Sequence, residues 1–307
     1  MLELKNITMR FESYDKSQDQ TVLGGLSLTI PSGCIYGLVG PNGTGKSTLL
    51  RLIAGVYQPE SGDVTLDGVP IWNNPEAKRR ICFVPDDLVF GPGADLRQQA
   101  RFARTINPQF DKARFAELTG LFGLAVDKPL RNFSKGMKRQ AAIALALAGH
   151  PDLLLLDETF DGLDPVMRNL VRKLLYAEVL DRGATVIAAS HSLRELENTC
   201  DRLAILEGGR VLYETDMDKI QSTLCKVQVA FPEAKPASFF EGLGLAPLSF
   251  EQAGTVTTMV LRMDKSEAEA ALRAVDPLLL NVLPLDLEEI FTFELEQAGY
   301  AVRSLLV

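Results

Sequence analysis

The sequence predicts an α/β core built on a mostly parallel sheet, followed by a small α+β unit, and three observations carry that prediction. Short apolar runs bounded by turn residues, CIYGLV (34–39), RICFV (80–84), DLLLLD (152–157) and ATVIAAS (184–190), alternate with longer helix-like segments. The runs are apolar throughout rather than alternating, which suits strands covered on both faces by helices. After LAILEGGRVLY, whose Gly208-Gly209 pair reads as a hairpin turn, the pattern restarts with candidate strands CKVQVAF and TVTTMVLRM and a helical stretch over 266–275.

A chain of 307 residues accommodates one large domain and a smaller one. With 46% hydrophobic and 23% charged residues it has the composition of a folded globular protein rather than a disordered one. No apolar run approaches the ~18 residues of a membrane-spanning helix. The N-terminal MLELKNITMR has no signal-peptide core. Cys34, Cys82, Cys200 and Cys225 are far apart and form no metal-ligand spacing, so they read as reduced thiols. The formal net charge of −8 argues against nucleic acid as the main partner.

Between the second and third apolar runs, residues 87–149 read as a helical insertion broken at Asn107-Pro108 and between Gly120 and Gly123. The boundary between units is expected near Thr223, giving domains of 1–223 and 224–307. The second is acidic, with six Lys/Arg against twelve Asp/Glu from Lys226 onward. Its closing segment places Leu287, Ile290, Phe291, Leu295 and Ala298 on one helical face, which reads as a core-facing stripe or, alternatively, as a face for a partner groove.

The stretch Gly40-Pro41-Asn42-Gly43-Thr44-Gly45-Lys46-Ser47-Thr48 fits G-x-x-x-x-G-K-[S/T], follows a strand and opens a helix. Its glycines permit a tight backbone that turns amides toward a phosphate, and the helix N-terminus adds its dipole. Lys46 is expected to reach the β- and γ-phosphates, and the Ser47 hydroxyl to bind Mg²⁺. The apolar strand Leu153–Leu156 ends in Asp157-Glu158. A carboxylate at that tip, Asp157, suits the Mg²⁺ hydration shell, and Glu158 is then placed to activate a water against the γ-phosphate. About twenty residues upstream, Asn132-Phe133-Ser134-Lys135-Gly136-Met137 opens an Ala/Leu-rich helix, so Ser134 and Gly136 form a second anion site at a helix N-terminus.

These motifs, in this order over roughly the first 220 residues, resemble the nucleotide-binding subunits of ATP-binding-cassette (ABC) transporters. Gly40 to Ser47 matches Walker A, Phe133 to Met137 the signature loop, Leu153 to Glu158 Walker B, Gly162-Leu163-Asp164 the D-loop, and His191 in AASHS the switch histidine. The resemblance implies a P-loop NTPase core with an antiparallel N-terminal β part and a helical subdomain. It also implies ATP and Mg²⁺ as ligands, and an ATPase in which two cassettes pack head to tail. Ser134 and Gly136 of one chain would then cap the γ-phosphate held by Lys46 of the other, with Asp164 among the nucleotide-contacting residues. Glu158 would drive hydrolysis, and His191 would orient the attacking water. The resemblance further implies that Phe11, or alternatively Tyr14, stacks on adenine. It places the subunit in the cytoplasm, on the inner face of the membrane through a separate membrane-spanning permease, with a homodimer of cassettes favoured over a heterodimer.

The chain departs from that family at three points. Asp86 stands where a Q-loop glutamine is usual and is expected to act as an acceptor for Mg²⁺ or water, adding negative charge near the γ-phosphate. Lys135 and Met137 replace a glycine and the glutamine of the usual signature loop, and Thr159 replaces the proline after Glu158. The FSKGM signature and the tail LPLDLEEIFTFELEQAGY are most similar to those of bacterial ABC-2-type exporters, so the expected function is the ATPase of an exporter. The alternative is a soluble ABC ATPase with no transport role.

Overall fold

A computed structural model describes residues 1–11, 20–91, 93–219, 224–283 and 285–297. Tyr14, Thr223 and Ala298 lie outside the described residues. The chain divides into two compact units, Met1–Glu214 and Thr215–Val307.

The first unit opens with an antiparallel sheet in the order β2-β1-β4-β5, where β1 is Leu2–Phe11, β2 Gln20–Ile30, β4 Ser61–Leu66 and β5 Val69–Pro70. Along β2 the residues alternate between exposed and buried, as a sheet with one wet face requires. A second sheet has the order β10-β9-β3-β8-β7-β6. Its members are β3 Ile35–Val39, β6 Ile81–Val84, β7 Leu153–Asp157, β8 Thr185–Ser190, β9 Arg202–Glu207 and β10 Arg210–Asp216. The five strands from β9 to β6 run parallel. Every residue of β3, β7 and β8 is buried, so the unbroken apolar runs report burial on both faces.

The helices end where local chemistry stops them. Helix α1, Lys46–Ile53, starts at Gly45 and inserts Leu49, Leu50, Leu52 and Ile53 into the core formed with both sheets. Each such side chain contributes about 1.5–3 kcal/mol relative to exposure. Helix α2 is Pro75–Arg79, capped by Asn74. The helical insertion consists of α3 (Leu96–Ile106, capped by Asp95), α4 (Lys112–Leu121, capped by Asp111) and α5 (Lys135–Ala148, capped by Ser134). The expected break at Asn107-Pro108 ends α3, whereas Gly120 lies inside α4. Helix α6, Pro165–Arg182, begins with Asp164 as cap and Pro165 at its first position and stops at Gly183. A single turn, α7, spans Leu193–Leu196.

The second unit is a four-stranded antiparallel sheet of order β12-β13-β11-β14, with β11 Cys225–Ala230, β12 Pro247–Ala253, β13 Val256–Leu261 and β14 Leu279–Leu283. Helices Ala237–Glu241 and Lys265–Arg273 complete a β-α-β-β-α-β path, the split β-α-β arrangement of ferredoxin-like folds. Val227, Val229, Met259 and Leu261 form its core with Phe240, Ala268 and Leu272 of the helices. In the closing helix, Leu287–Gln297, the stripe residues Leu287, Ile290, Phe291 and Leu295 are all buried.

Candidate active site

The parallel register gathers the chemistry at the carboxyl ends of neighbouring strands. Val39 pairs with Ser190, Asp157 with Ala189 and Val84 with Leu156. The residues that follow these strands, Gly40 onward, His191, Glu158 and Asp86, therefore emerge side by side at the carboxyl ends, where open α/β sheets place their ligand sites.

The loop from β3 to α1 has a backbone that only glycine allows. Gly45 has φ 101° and caps α1. A Cβ on Gly40 would lie 2.2 Å from the Leu206 carbonyl oxygen. Within the loop the Thr44 hydroxyl donates to the Pro41 carbonyl at 2.9 Å. Asn42 and Gly43 are exposed at its tip, while Thr48 faces inward on α1.

Lys46 is only 5% exposed. Its Nζ donates to the carbonyls of Gly40 and Pro41 and lies 3.7 Å from Glu158 Oε1. Burial lowers its pKa, and the charges of Glu158 and Asp157 oppose that shift. Ser47 Oγ donates to Asp157 Oδ1 at 3.1 Å. Asp157 is fully buried, and its Oδ2 has no hydrogen-bond partner. Burial raises its pKa first, the neighbouring charges of Glu158 and Asp86 add to the shift, and the Ser47 hydrogen bond opposes it.

Glu158 has φ 48°, a left-handed conformation that costs a non-glycine residue on the order of 1 kcal/mol and concentrates at functional sites. Its amide donates to the Ala189 carbonyl at 2.9 Å. Its Oε2 accepts from the His191 amide at 3.3 Å and lies 2.8 Å from His191 Nδ1.

Behind His191, Ser190 Oγ donates to the buried Glu195 at 2.7 Å and accepts from the Ser192 amide at 3.0 Å. Sequence reading passed over Glu195. An acid four residues past a histidine looks like ordinary helix surface, and only the fold turns it inward.

Of the expected site residues, the structure brings together Lys46, Ser47, Asp157, Glu158 and His191. Ser134, Gly136 and Asp164 make local contacts of their own. Ser134 caps α5 by accepting from the Met137 amide, and Asp164 caps α6 by accepting from the amides of Val166 and Met167. A Cβ on Gly136 would lie 2.7 Å from the Gly162 carbonyl oxygen, and Lys135 pairs with Asp161 at 2.6 Å. The segments Lys135-Gly136 and Asp161-Gly162 are thus packed on each other. Phe11 stands half-exposed at the end of β1, edge to face with Tyr57 at 5.6 Å.

Asp86 departs from expectation. Instead of being a free acceptor for Mg²⁺, its Oδ1 pairs with Arg139 Nη2 at 2.5 Å, and its carbonyl accepts from Arg139 Nη1 at 3.3 Å. Arg139, on α5, is fully buried. A signal for it lay in the sequence: Arg139, Ile143 and Leu147 share one helical face, and an arginine on an apolar face needs a carboxylate.

The residues fit a magnesium-bound nucleoside triphosphate. Gly40 and Gly45 let the loop lie directly against Leu206 and against Val22 and Leu23, where a Cβ would clash, and Asp157 presents one uncommitted buried oxygen beside the Ser47 hydroxyl. No group of three or more His, Cys, Asp or Glu forms a self-sufficient metal cage among the described residues. Mg²⁺ takes one or two protein ligands plus phosphates and waters, a need that Ser47 and Asp157 fit.

Fold and site together define a P-loop nucleoside triphosphatase. Residues 23–161 match the family model described as "ABC transporter". The chain is 34% identical over 291 residues to the ABC transporter ATP-binding protein YtrB of Bacillus subtilis (strain 168), spanning 95% of this chain and 97% of that protein. It is 37% identical over 206 residues to a Nod factor export ATP-binding protein I of Rhizobium meliloti (strain 1021), spanning 64% of this chain and 60% of that one. Among solved structures, it is similar to an ATP-binding subunit of an ABC transporter, with a TM-score of 0.63 and 28% identity, covering 72% of this chain and 92% of that one. The chain belongs to the ABC transporter family, as one of its ATP-binding, ATP-hydrolysing subunits.

Proposed function

We propose that this subunit powers export through a separate membrane-spanning permease, working as a head-to-tail homodimer of cassettes. The observation that carries the catalytic part is the Glu158–His191 pair beside Lys46. Glu158 Oε takes the proton of a water as that water's oxygen attacks the γ-phosphorus of ATP, and the bond to the ADP oxygen breaks. His191, fixed by its contact to Glu158, orients the water. Lys46 neutralises the charge on the β- and γ-phosphates, and the amides of Asn42 to Thr48 surround them. Ser47 and Asp157 would hold Mg²⁺, which when bound screens the phosphate charge and fixes its geometry.

Ser134 and Gly136 of the partner cassette complete the site across the dimer, with Asp164 capping the helix beside it. Phe11 offers an open ring for the adenine.

Among the described residues no helix is long and apolar enough to cross a membrane, so transport requires a partner. A groove of about 410 Å³ lined by Ile81, Phe83, Phe102, Ile106 and Phe110 supports where that partner sits, because Phe102 and Ile106 are large apolar side chains 63% and 58% exposed. The groove flanks β6, directly before Asp86, which gives a bound permease a short path to the nucleotide rim. Export is supported by the likeness to the Nod factor export protein.

The test is to solubilise native membranes in mild detergent and identify what co-purifies with the tagged subunit, with and without ATP. A polytopic membrane protein in stoichiometric yield is the expected result. Recovery from the soluble fraction alone would replace the transporter reading with that of a soluble ABC ATPase.

A further inference from the structure

Arg139 is the largest fully buried side chain of the described residues and carries a permanent charge. Among the described residues its one ion-pair partner is Asp86, reached by a two-point contact to the carboxylate and the carbonyl of the same residue. The side chain of Asp86 is half exposed while that of Arg139 is 1% exposed, so the pair runs from the core to the rim of the nucleotide site. A buried guanidinium is strongly destabilising when its counter-charge is removed. The family's glutamine at this point cannot supply that charge, whereas Asp86 does.

The two ends of the contact belong to different working parts. Asp86 lies two residues beyond β6, whose Val84 pairs with Leu156, next to Asp157. Arg139 lies on the first turns of α5, whose capped start carries Ser134 and Gly136. Farther along this loop, Asp87 is exposed and Val89 is 90% exposed.

We propose that Arg139 is a positioning residue for ATP hydrolysis. By gripping the carboxylate and the carbonyl of Asp86, it fixes the loop after β6 against the signature helix, so that the rim of one ATP site and the signature surface offered to the other move as one body. The inference rests on the proposed head-to-tail use of the signature loop. It assigns Asp86 to Arg139 rather than to the metal, and it accounts for the aspartate: the residue at 86 follows from the arginine at 139.

The test is a double-substitution cycle in the full-length protein with Arg139→Gln, Asp86→Asn and the two combined, together with Arg139→Lys. Thermal unfolding and steady-state ATP turnover are measured on each. Arg139→Gln and Asp86→Asn are each expected to lower kcat about tenfold while leaving KM for ATP within about twofold, because substrate contacts are untouched and only alignment is lost. The combined variant is expected to be no worse than the poorer single one, since removing both partners leaves no stranded charge. Arg139→Lys retains a charge and is expected to recover most of kcat, which separates positioning from misfolding.

Single variants with unaltered kcat, or losses that multiply in the combined variant, would overturn the inference. So would a rise in KM with kcat intact. Failure of the underlying head-to-tail reading would show differently, as turnover per subunit in the unsubstituted protein that does not change with protein concentration and persists in Ser134→Ala.

Discussion

His191 Nδ1 lies 2.8 Å from Glu158 Oε2, and the same oxygen accepts from the His191 amide. One carboxylate oxygen is thereby fixed by the residue after β8, while the other, Oε1, faces Lys46 at 3.7 Å. The glutamate is held from both sides before any substrate arrives, and its left-handed backbone is the local cost of that placement.

Glu158→Gln is expected to lower ATP turnover by about 10²-fold or more, the usual contribution of a positioned base, while leaving ATP affinity near its original value. The amide keeps the shape and the contact to His191 but cannot take a proton. Single-turnover hydrolysis alongside equilibrium nucleotide binding checks this, and turnover within about threefold of the original would remove Glu158 as the base.

Asp157→Asn should split stability from function. The native carboxylate is fully buried with one oxygen unpartnered, so the neutral isostere is expected to raise the unfolding temperature of the nucleotide-free protein. The same change should abolish Mg²⁺-dependent turnover. A lower unfolding temperature would show that the Ser47 contact outweighs the buried charge.

The cysteines should be inert in the folded protein. Burial pushes the Cys34 and Cys82 thiols up to about 11 and raises those of Cys200 and Cys225 as well. Since the thiolate is the nucleophile, alkylation by iodoacetamide at pH 8 is expected to be far slower than in denaturant and to accelerate only as pH approaches about 11. Mass-spectrometric counting of modified sites over time checks this. Cys82 is half-buried beside an open groove, so rapid labelling there at pH 8 would contradict its raised thiol.

Phe102→Glu combined with Ile106→Glu should release the subunit from membranes without affecting ATP binding. Both side chains are exposed on α3, so their replacement removes apolar docking surface without a core cavity. Membrane flotation and nucleotide binding on the same preparation separate the two effects, and undiminished membrane association would move the docking surface elsewhere.

The parts of the fold legible in the sequence were those in which one residue type repeats because its surroundings do. LLLLD and TVIAAS are buried on every position and read directly as interior parallel strands. By contrast, β12, β14 and the helix Ala237–Glu241 escaped notice. β12 and β14 are sheet edges with half-exposed, mixed sequences, and the helix is a five-residue turn behind Pro236.

The same distinction holds at the site. Asp157 ends β7, Glu158 and His191 come directly after strand ends, and Lys46 opens α1, so local pattern locates them. Arg139 and Asp86 are 53 positions apart, and their relation exists only once α5 and the loop after β6 come together.

The unpartnered Oδ2 of Asp157 leaves one unsatisfied buried oxygen at the carboxyl end of β7. Any ligand that satisfies it adds its binding free energy to the folding equilibrium, by several kcal/mol when present far above its dissociation constant. Nucleotide occupancy is therefore also a term in the folding equilibrium of this unit, so its unfolding temperature is expected to rise with the concentration of bound nucleotide.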